Sequence, residues 1–441
     1  MRDFREFFKD KKVTVVGLGL LGKRLGDIAF LAECGAKVLV TDIKPSTALR
    51  PSLKKLRKYK NIKYVLGEHR MQDFENCDFV LKGQGVALDS SYILHAQRKG
   101  IPVEMDESLF AKLAPGVKII GITGTRGKST TTILIYEILK ASSIRVFLGG
   151  NIKGTAALPL LKKVKMGDAV VFELSSWQLQ GFGEAKISPD ISVFTNFMPD
   201  HMNYYKNDLK QYFKDKAYIY KFQKSDDVLV LGKGIKNMVK DVKSKKVYAS
   251  IKDIPKNWKI KLLGKHNLEN IACAVAVARS LKIPEKIIKK TVENFKGVEG
   301  RMELVTTVKG VKIYNDTNSC TPEATSVALQ ALGSKKKNIV LLMGGSDKNL
   351  DFKDLLKDIK KYVKAVVLIP GNGTNRIMSD LKKTGVRIYQ KNDLKEVVSH
   401  HQEITKKGDI VLFSPAFTSF GLFQNEYDRG EKFMKIIKRL K

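Results

Sequence analysis

Residues 121–132, "GITGTRGKSTTT", place glycine, lysine and hydroxyl groups at a spacing suited to holding phosphate. Gly124 and Gly127 let the backbone turn its N–H groups inward, Lys128 supplies a cation for β- and γ-phosphates, and Ser129 offers a hydroxyl to Mg2+. The common loop is glycine, four residues, then Gly-Lys-Ser/Thr, and Ile122 stands where its first glycine belongs. The chemistry therefore survives while the usual spacing fails. Glu173 closes the apolar run "DAVVFEL", and His201 follows the run "ISVFTNF". A carboxylate and an imidazole at the ends of two buried strands, with Ser129, make an edge for Mg2+ and phosphate.

Such groups need a scaffold, and alternating short β-rich runs and helical patterns predict one. The strand "VKIIGIT" leads into the loop and "STTTILIYEILKAS" continues from it as a helix. Upstream, "KVTVVGLGLLGKRLGDIAFLAECGAKVLVTDIK" reads as strand, glycine turn, helix and second strand. Gly17, Gly19 and Gly22 satisfy G-x-G-x-x-G, and Asp42 lies where a ribose-binding carboxylate is expected, although the glycines could equally serve tight strand–helix packing. Downstream, "VKIYND", "KNIVLLMGG", "AVVLIPG" and "GDIVLFSP" alternate with helical stretches. The expected fold is α/β in three domains: Rossmann-like over 1–110, a P-loop ATPase-type parallel sheet over 111–298, and Rossmann-like over 299–441.

Composition narrows the partners. The chain has 441 residues, 43% hydrophobic and 28% charged, enough to bury sizeable cores. "MRDFREFFKDKK" is charged and has no apolar core, so no signal peptide is expected, and no apolar run is long enough to span a bilayer. A cytoplasmic monomer without membrane insertion follows as the expectation. Cys34, Cys77, Cys273 and Cys320 stand far apart with no C-x-x-C spacing, which predicts reduced thiols. The net charge of +35 comes mostly from lysine spread along the chain, without the interleaved aromatics of a single-strand binder, so no specific nucleic-acid partner is expected.

"GTRGKSTT", "GGNIKG", "ELSSWQLQ", "DHMNYY", "GKHNLENIACAVA", "GRMELV", "YNDTNSCTPEA", "LMGGSDKNLDF" and "SPAFTSFGLF" follow one another across essentially the whole chain. In that order the chain resembles the Mur ligases of peptidoglycan synthesis, whose loop reads G-T-x-G-K-S/T-S/T. The resemblance implies an ATP- and Mg2+-dependent acid–amino-acid ligase. The alanine carboxylate of UDP-N-acetylmuramoyl-L-alanine would attack the γ-phosphorus, and the amine of D-glutamate would displace phosphate from the acyl phosphate.

Carried over residue by residue, Gly124, Thr125, Gly127, Lys128, Ser129 and Thr130 would hold the ATP phosphates. Asn270 and Arg301 would contact the nucleotide, with Asp316 near its ribose. Ser129, Glu173, His201 and Lys216 would hold metal, Lys216 as a carbamate, and Lys128, His201 and Lys216 would carry the catalytic step. Asn151, Ser175 and Gln178 would face the muramoyl-alanine, while the first domain, with Gly19 and Asp42, would bind the uridine diphosphate. Lys348 and Ser419 fit the acceptor positions, but Asn318, Cys320 and Glu426 depart from lysine, threonine and an aromatic. A sister ligase adding another amino acid is the near alternative. A nicotinamide-dependent oxidoreductase is the distant one, accounting only for the first glycine turn.

Overall fold

The structure is a computed structural model that describes residues 3–19, 23–152 and 154–439. Gly22 lies outside the described residues. Three sheets follow one another along the chain.

The first comprises β1 (Lys12–Val16), β2 (Lys37–Asp42), β3 (Ile62–Leu66), β4 (Phe79–Lys82) and β5 (Val103–Glu104), in the order β3-β2-β1-β4-β5. The second comprises β6 (Lys118–Thr123), β7 (Val146–Gly150), β8 (Ala169–Glu173), β9 (Ile191–Phe194), β10 (Val228–Leu231) and β11 (Lys245–Tyr248), in the order β11-β10-β9-β6-β8-β7. Every pairing in these two sheets is parallel. β8 is buried at each position, as an apolar run must be when helices cover both faces of a parallel sheet.

The third sheet comprises β12 (Glu303–Val308), β13 (Val311–Asn315), β14 (Ile339–Gly344), β15 (Val363–Ile369), β16 (Arg387–Gln390) and β17 (Ile410–Phe413), in the order β12-β13-β17-β14-β15-β16. It is parallel except for β12, which runs antiparallel to β13. Only Lys309 and Gly310 separate those strands, at φ 48° and 78°, and a two-residue turn with both φ positive can join only antiparallel strands.

By contacts the chain forms two compact units, Met1–Trp258 with Glu269–Glu293, and Lys259–Leu268 with Asn294–Lys441. In the first unit one apolar core runs from Phe8 and Phe30 through Leu158 to Phe110, Phe172 and Leu179. Phe110 meets Phe172 edge-on with centroids 5.4 Å apart. The first two sheets are therefore anchored on common packing. In the second unit one apolar cluster gathers around Leu329, Leu341 and Ile359, and another around Val398, Phe413 and Phe433. The four cysteines are free thiols, as expected.

Candidate active site

β6 lies between β8 and β9, so the three chain segments expected to do chemistry leave the same sheet edge from adjacent strands. The loop after β6 needs glycine twice. At Gly124, φ is 144° and a Cβ would lie 1.9 Å from Thr195 Oγ1; at Gly127, φ is 82° and a Cβ would lie 2.0 Å from Asn270 Oδ1. Asn270, expected at the nucleotide, is thus packed directly on the loop. Gly127 precedes the helix Lys128–Ala141, whose open N–H groups favour an anion. Ser129 and Thr130 in its first turn are buried, as is Thr125.

The segment after β9 holds the loop in shape. Thr125 N–H donates to Asn196 O at 3.0 Å, Arg126 N–H donates to Asn196 Oδ1 at 2.9 Å, and Thr195 Oγ1 donates to Arg126 O at 2.6 Å. Thr195 and Asn196 were not legible as loop supports, because nothing local in "FTNF" announces a partner about seventy residues away.

Two amines meet on one carbonyl. Lys128 Nζ donates to Gly124 O at 3.2 Å and Thr125 O at 3.1 Å, while Lys216 Nζ donates to Gly124 O at 2.9 Å. Lys216 is only 2% exposed. Burial, and next the positive charge of Lys128, hold its amine well below the usual lysine range. Its neighbour Asp215 locks the helix Leu209–Ala217 in place, accepting from Gln180 Nε2 at 2.8 Å, Tyr205 OH at 3.1 Å and Gln211 Nε2 at 2.7 Å.

On β8, Glu173 is buried. Its Oε1 accepts from Asn151 Nδ2 at 3.3 Å, and its Oε2 has no hydrogen-bond partner. Asn151 N–H also donates to Glu173 O at 2.7 Å. Two residues on, Ser175 caps the helix Ser176–Glu184 in a reciprocal box with Gln178, which brings these predicted substrate residues together. Ser175 Oγ donates to Gln84 Oε1 at 3.4 Å.

After β9, His201 adopts φ 56° and packs on Trp177 with centroids 4.6 Å apart. Its Nε2 stands 3.7 Å from Asp200 Oδ2, and that carboxylate pairs with Arg126 of the loop. Burial works against the Asp200 charge, but Arg126 and then His201 hold its carboxyl below the ordinary range. The imidazole is thereby tied to the phosphate loop through two residues, Asp200 and Arg126, that sequence reasoning did not single out.

Comparison with known proteins agrees in every part of the chain. Residues 11–104 match the Mur ligase MurD-like N-terminal domain, 122–253 the Mur ligase middle domain, and 300–417 the Mur ligase glutamate ligase domain. Among curated relatives, the UDP-N-acetylmuramoylalanine--D-glutamate ligase of Borreliella afzelii is 37% identical, covering 98% of each chain. Those of Roseiflexus sp. and Clostridium kluyveri are 34% and 33% identical, covering 97% and 99% of this chain and 98% of theirs. The chain belongs to the Mur ligase family. Among solved structures, the UDP-N-acetylmuramate-alanine ligase MurC of Thermotoga maritima shares the fold at TM-score 0.61 and 19% identity, covering 98% of this chain and all of that one. MurF ligase from the same organism, in complex with ADP, shares it at 0.58 and 19%, covering 92% and 96%.

A nicotinamide-dependent oxidoreductase is not supported, since the segment carrying the first glycine turn matches a Mur ligase domain. In that turn Gly19 has φ 69° and its carbonyl accepts from Ser52 Oγ at 3.1 Å. Asp42 closes the turn, with Oδ2 accepting from Leu18 N–H at 2.8 Å and Oδ1 from Lys44 N–H at 2.9 Å.

The remaining Mur ligase positions belong to the second unit. Asp316 is buried and accepts from Met302 N–H at 3.0 Å and Ser414 Oγ at 2.7 Å, with burial pushing its carboxyl up to about 6. Arg301 and Lys348 are exposed, whereas Ser419 is buried. The loops carrying Lys348 and Ser419 are joined by an antiparallel bridge between Ser346 and Thr418.

Proposed function

We propose that this Mur ligase joins D-glutamate to UDP-N-acetylmuramoyl-L-alanine in the cytoplasm, in an ATP- and Mg2+-dependent step of peptidoglycan precursor synthesis. The observation that carries the reading is the convergence of Lys128 and buried Lys216 on Gly124 O inside a glycine loop at a helix N-terminus. Identity of 33–37% to D-glutamate ligases over nearly the whole chain supports the substrate pair.

In this reading Lys128 leaves the loop carbonyls to neutralise phosphoryl oxygens as charge shifts onto them during attack by the alanine carboxylate. Loop N–H groups and the helix N-terminus orient the phosphates for that attack. The donor chemistry fits Mg2+: the orphaned Glu173 Oε2 is a buried oxygen donor, Ser129 adds a hydroxyl, and a hard cation that keeps its waters needs few protein ligands. In this reading the Ser129 hydroxyl, the carbamate of Lys216 and His201 would complete the set. Bound there, the ion would supply charge neutralisation at the phosphates.

Lys216 suits the carbamate role because only a neutral amine adds CO2, losing a proton to become an anion, and this amine is held below its usual range. In this reading His201 would hold metal or assist proton transfer from the incoming amine. The domain boundaries 1–110, 111–298 and 299–441 divide these tasks among uridine diphosphate, ATP and amino-acid binding. The test is phosphate release with UDP-N-acetylmuramoyl-L-alanine, ATP, Mg2+ and D-glutamate. Release requiring all four supports the reading; no release with the full mixture overturns it.

A further inference from the structure

Away from the phosphate loop, the densest buried charge lies where the helix Lys23–Glu33 meets the helix Asp106–Leu113. Asp27, Asp106 and Glu107 are all at most 1% exposed. Lys23 Nζ stands 3.1 Å from Asp106 Oδ2 and also pairs with Glu107 Oε1. Gln178 Nε2 donates to that same Glu107 oxygen. At its other end Gln178 Oε1 accepts from Ser175 N–H at 2.8 Å. A continuous polar chain therefore runs from the helix after the first glycine turn, through Lys23, Glu107 and Gln178, to the loop that carries Ser175.

We propose that Glu107 is a positioning residue for the donor-substrate loop, gripping Gln178 and Lys23 when ionised and slackening that grip when protonated. The proposal rests on the ligase reading, which places Ser175 and Gln178 at the muramoyl-alanine. The geometry provides both states. Ionised, Oε1 accepts from two donors at once, one of them charged. Protonated on Oε2, Glu107 can donate to the Asp106 carboxylate beside it, which Lys23 also faces at 3.1 Å from Oδ2.

The groups facing Glu107 set where the change occurs. Burial and then the Asp106 charge push its carboxyl up to about 7, with Lys23 opposing. Lys23 is raised by the two carboxylates against its own burial. Asp106 is held well below the usual range because Lys23 and Arg24 overcome its burial, while burial pushes Asp27 well above it. Lys82 faces Asp106 from β4, its Nζ donating to Val86 O at 3.0 Å.

The sign follows. Above about pH 7 Glu107 is ionised and the loop is held; below it the charge-assisted bonds weaken and affinity for the muramoyl substrate falls. The contribution to stability runs the other way. The folded state holds this proton more tightly than the unfolded state, so stability from Glu107 falls as pH rises from 4.5 to about 7. Lost affinity at low pH is thus separable from unfolding.

The test is the dissociation constant of UDP-N-acetylmuramoyl-L-alanine by calorimetry, and its KM in turnover, from about pH 6 to about pH 8. Wild type should weaken about five-fold towards the acid end while KM for ATP stays level, as expected for losing the charge assistance of one hydrogen bond. Glu107→Gln should bind weakly at every pH with a flat profile, and Lys23→Met should add little to it in the double variant. A flat wild-type profile overturns the proposal, as does a Glu107→Gln variant that keeps the wild-type slope. If Glu107→Gln does not fold, the wild-type profile alone decides. Binding with the expected profile but no phosphate release overturns the ligase reading and leaves the positioning role standing.

Discussion

At the scale of residues, the proposed mechanism depends on charges placed where phosphate would sit. Lys128 is on the first turn of its helix, donating to carbonyls of its own loop, so removing it should leave the fold intact. Lys128→Ala should lower ATP-dependent phosphate release by about a thousand-fold with an unchanged circular dichroism spectrum, since one preorganised cation at a phosphoryl group contributes on the order of 4 kcal/mol. Activity within a few-fold of wild type would remove this loop from the mechanism. Lys216→Ala should be as inactive, but short carboxylic acids should restore part of the rate by replacing the missing anion. Full activity without additives would make Lys216 an ordinary buried lysine. Lys128, Ser129 and Glu173 could be singled out because each stands in a stretch whose chemistry is local, whereas Lys216 was named only through the resemblance to the Mur ligases. Thr195, Asn196, Arg126 and Asp200 were not legible: their role consists of contacts across the sheet edge that no short stretch encodes.

At the scale of elements, the end of β9 and Asn270 of the helix Lys265–Ser280 pack on the loop after β6 where its glycines leave no side chain in the way. Gly124→Ala would drive a Cβ to 1.9 Å from Thr195 Oγ1 and 3.1 Å from Asn196 N, at φ 144°. It should destabilise the protein by about 2–3 kcal/mol and abolish measurable ATP binding. Gly234 has φ 80° with nothing within 4 Å of its added Cβ, so Gly234→Ala should cost only about 1 kcal/mol and leave ATP binding unchanged. Thermal melts with nucleotide titrations check both; equal effects would mean backbone strain alone, not the packing of the loop, sets the cost. Among the inner strands, β1, β6, β8, β9, β13, β14, β15 and β17 are readable as apolar runs because they are mostly buried. β11 and β16 end their sheets and are mostly solvated, reading as ordinary polar chain, and β12 is recognisable only once its two-residue turn to β13 is seen.

At the scale of the whole molecule, the α/β architecture in three sheets could be read from the alternation of elements, but in the proposed function the choice of acceptor rests on the second unit's loops. Arg429, fully buried, directs its N–H groups to Phe417 O at 3.1 Å, Thr317 O at 2.8 Å and Cys320 Sγ at 3.1 Å, not to the Glu426 carboxylate. Glu426 instead offers its backbone carbonyl to Thr317 Oγ1 at 3.3 Å. Cys320 and the Glu426 backbone thus lie around a buried guanidinium network, while Lys348 is an exposed cation on the loop bridged to Thr418. A cation there rewards an acidic side chain and repels a basic one, so D-glutamate should be incorporated faster than L-glutamate, L-lysine or diaminopimelate in a mixed-acceptor assay. Lys348→Ala should raise KM for D-glutamate by about ten- to a hundred-fold, the worth of one charge-assisted contact, with KM for ATP and for the UDP-substrate within about two-fold of wild type. Faster incorporation of L-lysine or diaminopimelate would move the chain to a sister activity within the same family. A Lys348→Ala variant with unaltered D-glutamate KM would leave the preference to Ser419 and the Arg429 framework.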